Sequence, residues 1–174
     1  PEDMLTEYAD TKIINSYQKI EAYPSPADLA QVEEMLSKSR APVVIVGGGG
    51  WDEASCQKIQ DFAEKNHLPV GCSFRCQDYF DNRHPNYVGH IGIGLSTSLQ
   101  DRIINSDLLV VIGARLGEVT TSGYSLLDIP RPKQQLIHIH SGAEELGSVY
   151  QADLPINASP RSFAEAISRL EIAG

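Results

Sequence analysis

Residues Ser106 to Ser122 read SDLLVVIGARLGEVTTS, and this stretch decides the fold. Leu108, Leu109, Val110, Val111 and Ile112 form an unbroken run of aliphatic residues, with no polar residue at alternate positions. A strand of that kind is covered on both faces, as in a parallel sheet flanked by helices. Each side chain fully buried there stabilises the fold by about 1.5–3 kcal/mol. The run stops at Gly113-Ala114-Arg115, where small residues allow close approach and a cation comes directly after. Ligands of open parallel sheets collect outside the carboxyl ends of the strands, where strand order reverses. Pro42 to Trp51, PVVIVGGGGW, has the same form. The two glycine-tipped strand ends are therefore expected to face each other across one crevice.

The chain has 174 residues, enough for one domain with a full core. Residues 25–174 are read as that domain and residues 1–24 as an arm from a preceding one, the whole being a piece of a longer protein. A net charge of −9 argues against a nucleic-acid or anionic-membrane surface, which needs clustered Lys and Arg. The three cysteines, Cys56, Cys72 and Cys76, form no CxxC pair and suit reduced thiols in a cytoplasmic protein. No apolar stretch approaches about 18 residues, so no membrane span is expected.

In chain order, Ser25-Pro26 reads as a helix cap and first turn, with Leu29, Val32, Met35 and Leu36 at helical spacing to about Ser39. Next come a strand over Val43 to Val46, the Gly47–Gly50 turn and a helix from Asp52 to Asn66. Leu68 to Ser73 is a short strand. Phe74 to Leu95 reads as a long loop, with at most a brief strand at Tyr87-Val88, and loops of that length tend to be functional. Ser96 to Asn105 reads as a helix, Gly117 to Gln134 as irregular, and Leu136 to His140 as a strand. Ala143 to Gly147 is a helical turn, Leu154 to Asn157 a last strand, and Ser159-Pro160 caps a closing helix. The alternation predicts a three-layer αβα fold with about six strands in a mainly parallel, Rossmann-like sheet.

Few groups suggest chemistry. Gly47 to Gly50 precede a helix whose free amides could receive phosphate oxygens, or they make only a tight turn. GxGxxG fails in either register, because Asp52 or Glu53 occupies the third glycine position, and no P-loop lysine is present. Arg115 can pair with a diphosphate through its planar fork, or it is a surface residue paired with Glu118 or Asp128. Arg75 is a weaker candidate, and Arg83 is read as solvated. His138 and His140 share a strand face but lack a third partner for a metal, and His67, His84 and His90 are placed in loops. Cys72 is expected to line the crevice without reacting. No catalytic nucleophile stands out.

Five segments in order, RAPVVIVGGGG, LPVGCSF, HPNYVGHIGIG, SDLLVVIGARL and QLIHIHSGAEELG, resemble the central domain of thiamine-diphosphate-dependent enzymes, in particular the acetolactate synthase-like group. The opening PEDML resembles the exit of that family's preceding domain. The resemblance implies a three-domain subunit in a homo-oligomer, with thiamine diphosphate and Mg2+ bound by the other domains and no catalysis in this one. It also implies a groove that takes FAD or ADP. The groove would be lined by Gly48, Gly49 and Gly50, by Ser73, Phe74 and Arg75, by Gly113, Ala114 and Arg115, and by His140, Ser141 and Gly142. The alternatives are a scaffold domain with an empty groove and a free-standing nicotinamide-dependent oxidoreductase.

Two departures bear on the cofactor. Where the flavin-binding branch has Arg-Phe-Asp-Asp-Arg, this chain has Arg115-Leu116-Gly117-Glu118-Val119. Where that branch has His-Ile-Asp-Ile-Asp-Pro, it has His138-Ile139-His140-Ser141-Gly142-Ala143, so both aspartates are replaced. The parent substrate is not specified by these residues.

Overall fold

A computed structural model describes residues 3–6, 18 and 20–172. The expected arm over residues 1–24 lies mostly outside the described residues. Its last part, from Ile20, is described, and Asp3–Thr6 forms a 3-10 turn.

Six strands form one all-parallel sheet. They are β1 (Pro42–Val46), β2 (Val70–Ser73), β3 (Tyr87–Ile91), β4 (Leu108–Ile112), β5 (Gln135–His140) and β6 (Leu154–Asn157). Their order is β3-β2-β1-β4-β5-β6, so the direction of winding reverses between β1 and β4. Those two strands are paired over their whole length, from Pro42 beside Leu108 to Val46 beside Ile112. The glycines directly after Val46 and Ile112 are thus neighbours.

Alternate residues of the central strands feed two cores, as the period of two requires. Val44, Val46, Val110, Ile112, Ile137 and Ile139 face α1 (Pro26–Lys38), α2 (Glu53–Lys65) and α4 (Pro160–Ile167). Val43, Ile45, Leu109, Val111 and Leu136 face α3 (Thr97–Ile104) and the irregular segment that carries Leu116, Leu126 and Leu127. The result is the three-layer αβα arrangement.

The helix caps are set by nearby side chains. Ser25 Oγ accepts from the Asp28 amide at 3.1 Å while the Asp28 carboxylate accepts from the Ser25 amide at 2.8 Å, with Pro26 in the first turn. Ser96 and Ser159 cap α3 and α4 through their own side-chain oxygens. At the end of the sheet away from the glycines, Asp107 accepts hydrogen bonds from Ser39 Oγ and from the amides of Arg40 and Ala41. The entering chain is strapped over α4. The Ala22 carbonyl accepts from the Ser159 amide at 3.1 Å and from Ser162 Oγ at 2.6 Å, and Glu21 lies 3.7 Å from Arg161.

Two expectations need correction. The stretch from Phe74 to Leu95 is not one long loop: it holds a 3-10 turn over Gln77–Tyr79 and the full edge strand β3. Strand β3 carries a weak sequence signal because it pairs only on its β2 side and is half-buried, so Gly89 and His90 are tolerated within it. His90 accordingly sits on that strand beside Cys72, with Nε2 2.8 Å from the Ile93 carbonyl oxygen. Among the described residues, no helix is long and apolar enough to cross a membrane.

Candidate functional site

The two glycine turns interlock. The Gly47 amide donates to the Ile112 carbonyl at 3.0 Å, and the Gly113 amide donates to the Ile139 carbonyl at 2.8 Å. Gly48 has φ +68°, and a Cβ there would overlap the Gly113 carbonyl oxygen. Gly113 has φ +75°, and a Cβ there would stand 2.5 Å from the Gly47 oxygen and 2.7 Å from Pro160 Cγ. Both positions therefore need glycine for backbone shape and for space. Gly49 differs, because nothing lies within 4 Å of where its Cβ would be.

Side chains hold each turn from behind. Trp51 Nε1 donates to the Gly47 carbonyl at 2.8 Å, and Tyr79 Oη donates to the Gly48 carbonyl at 2.8 Å. The rings of Trp51 and Tyr79 lie 5.4 Å apart. On the other turn, His138 Nε2 lies 3.0 Å from the Ala114 carbonyl oxygen. Burial pushes the His138 pKa below its usual value, against the opposing effect of that hydrogen bond, with nearby His140 lowering it further. The imidazole is then neutral at pH 7, and Nε2–H is the donor to the carbonyl.

A groove of about 640 Å³ opens over these turns. Of the residues singled out from sequence, Gly48, Gly49, Gly50, Ser73, Phe74, Gly113, Arg115, His140 and Ser141 line it. Cys76, Val119 and Thr120, which are not among the groove residues expected from sequence, complete the wall. Arg75, Ala114 and Gly142 do not line it, for three separate reasons. Arg75 takes a left-handed conformation, φ +61°, and its guanidinium carbon lies 5.2 Å from the centre of the Phe74 ring. Ala114 is buried under the turn and offers its carbonyl to His138. Gly142 closes a tight loop in which its amide donates to His140 Nδ1 at 3.0 Å.

Cys72 does not line the groove either. It is fully buried in the core, where burial pushes its thiol up to about 12. The thiol at the groove is that of Cys76, whose only sequence signal is its position past the end of β2.

Among the described residues no carboxylate lines this groove, although the chain carries 23 acidic against 14 basic residues. Its permanent charge is Arg115, whose side chain is 71% exposed. The ion partner of Arg115 is neither Glu118 nor Asp128 but Glu145, with Nε 3.6 Å from Oε2. That separation is an ion pair but is too long for a hydrogen bond. Glu145 lines a small pocket with His138 and Tyr150. Tyr150 is 2% exposed, and its hydroxyl is the one buried side-chain polar atom without a partner among the described residues. Such an orphan costs about 1–3 kcal/mol.

The start of α2 departs from the phosphate-receiving pattern. Asp52 Oδ1 accepts from the Ser55 amide at 2.8 Å, and Ser55 Oγ accepts from the Asp52 amide at 2.9 Å. The Ser55 hydrogen bonds hold the Asp52 carboxyl below its ordinary range, and Arg161 stands 3.1 Å from it. The helix end already holds an anion of its own.

Comparison with known proteins agrees with this architecture. The family described as "Thiamine pyrophosphate enzyme, central domain" matches residues 29–167. A sulfoacetaldehyde acetyltransferase of Alcaligenes xylosoxydans xylosoxydans is 26% identical over 82% of this chain and 24% of its own length. The acetolactate synthase large subunit of Corynebacterium glutamicum is 26% identical over 84% of this chain and 22% of its own. A 3D-(3,5/4)-trihydroxycyclohexane-1,2-dione hydrolase of Bacillus cereus is 30% identical over 59% of this chain and 16% of its own. The chain thus spans about a quarter or less of each of these relatives. With a six-stranded parallel sheet, a groove at its switch point and a family match across most of its length, the chain belongs to the central-domain family of thiamine pyrophosphate enzymes.

Proposed function

We propose that this chain is the non-catalytic central domain of a thiamine-diphosphate-dependent enzyme, an acetolactate synthase-like carboligase or decarboxylase acting in the cytoplasm as a homo-oligomer. Thiamine diphosphate and Mg2+ would be held by its other domains. Within the central domain, the groove over Gly48–Gly50 and Gly113–Arg115 takes FAD or ADP.

One observation carries the ligand reading: a groove with no carboxylate among its described residues, rimmed by an exposed arginine, in a chain of net charge −9. Such a surface favours an anion. Its residues fit the ADP portion of either nucleotide. Arg115 and the open backbone at Gly49 would hold phosphate oxygens. The hydroxyls of Ser73, Thr120 and Ser141, all on the groove wall, would serve the ribose in place of the replaced aspartates.

The competing reading is a scaffold with an empty groove. The Asp52 carboxylate at the start of α2 favours it, since that helix end is not free to take a phosphate. A free-standing nicotinamide-dependent oxidoreductase receives no support from the family match.

Calorimetry of the purified chain with ADP and with FAD separates the readings. Heat release and a raised melting temperature are expected for at least one nucleotide. The Arg115→Ala variant should bind about tenfold more weakly with unchanged melting, because an exposed ion pair contributes little to stability. Absence of heat and of any melting shift with both nucleotides would leave the empty scaffold.

A further inference from the structure

We infer that Glu145 and Tyr150 are positioning residues that hold Arg115 in reserve and release it when an anion enters the groove. The inference rests on the reading of the groove as an anion site, and it adds residues outside the groove wall. Three observations meet in one place. The Glu145 side chain is only 17% exposed, yet its ion pair with Arg115 is a loose 3.6 Å contact. Tyr150, 2% exposed, has a hydroxyl with no partner among the described residues. Both residues line the same small pocket, beside Leu116 and His138.

A carboxylate held only by a loose ion pair and a buried hydroxyl without a partner thus line one small pocket. A rotation of the Glu145 side chain toward Tyr150 would satisfy both, through a charge-assisted O–H···O⁻ bond. In the structure the carboxylate is turned toward Arg115 instead. An incoming phosphate supplies a replacement counter-charge, so that Arg115 turns to the ligand and Glu145 turns to Tyr150. The two events are coupled, and the coupling is reciprocal: whatever favours the Glu145–Tyr150 bond also favours the anion. No bond is made or broken covalently, and no proton leaves either group. Glu145 is borne by the turn-rich segment from Gly142 to Ser148.

The test is a titration of the purified chain with ADP and with inorganic pyrophosphate. The readout is the fluorescence of Trp51, the sole tryptophan, whose indole is bonded to the groove floor. Glu145→Gln removes the competing charge but keeps an amide oxygen that can accept from Tyr150, so it should tighten ADP binding about three- to tenfold. Tyr150→Phe removes the bond that the ligated state gains, so affinity should fall about three- to tenfold. Its melting temperature should stay level or rise, because the orphaned hydroxyl is gone. That split between affinity and stability is one that a purely structural tyrosine would not produce.

Wild-type affinity in Tyr150→Phe would overturn the latch and leave the anion groove standing. Should that variant fail to fold, Glu145→Gln decides alone, and unchanged affinity overturns the proposal. Failure of both ADP and pyrophosphate to bind the wild type and Glu145→Gln would overturn the groove reading and the latch with it.

Discussion

The glycine turn after β1 and the one after β4 look alike in sequence and differ in the groups they leave open. Gly47 and Gly48 have both carbonyls taken from behind, by Trp51 and Tyr79, and the helix beyond them is closed by its own Asp52. Gly113 and Ala114 are backed by a single buried histidine, and the residue after them is an exposed arginine with a loose partner. The first turn is a floor and the second is a rim. A glycine run before a helix is thus weak evidence for a phosphate site, because the next few residues decide whether the amides are free. A cation at a switch-point strand end is more informative, because burial of that strand fixes where the cation stands.

The contrast can be broken first at the floor. Gly48→Ala places a methyl group into the Gly113 carbonyl and forces a left-handed alanine. It should cost about 3 kcal/mol or more, a fall in melting temperature of about 6–12 °C. A variant melting like wild type would show that the two turns are not in fixed contact.

The rim is the turn that should answer to acid. His138 has a depressed pKa in the folded chain and its ordinary value near 6.5 in the unfolded chain. Above that value neither state is protonated there. Below it the unfolded chain takes up a proton that the folded chain refuses, so stability falls as pH falls. The slope contributed is at most about 1.4 kcal/mol per pH unit, and urea unfolding at about pH 5 and pH 7 measures it. His138→Gln should lack that component. The floor contributes nothing in this range, since burial raises the Tyr79 hydroxyl above its ordinary 10.0 and the indole of Trp51 does not titrate.

Trp51→Phe should cost about 1 kcal/mol by removing the donor to Gly47, a loss that urea unfolding measures. Gly49→Ala should change stability by no more than about 0.5 kcal/mol, since its Cβ meets nothing. If nucleotide lies against that backbone, the same methyl group weakens binding with no change in melting, which separates lining from folding at one position.

The parts of the molecule that could be read from residues alone are those governed by short-range rules. Leu108 to Ile112 could only be a strand covered on both faces, and Val46 beside Ile112 was implied by the Rossmann-like order. Ser25-Pro26 and Ser159-Pro160 signalled helix starts through chemistry local to a few residues. Strand β3 was illegible because half of its pairing and burial comes from β2, some seventeen residues earlier by register (Val70 beside Tyr87). The core position of Cys72 and the buried groove-wall position of Cys76 differ by where β2 ends, which composition does not mark. Nor could spacing have joined Arg115 to Glu145, because that meeting depends on how the loop after β5 folds back beside β4.

The strap at Ala22 has a mechanical meaning. Ser159 and Ser162 grip the entering chain, Pro160 stands between them, and its ring abuts the place where Gly113 bends. A pull on the chain at Ala22 would therefore bear on the first turn of α4 and, through Pro160, on the Gly113 turn at the groove rim.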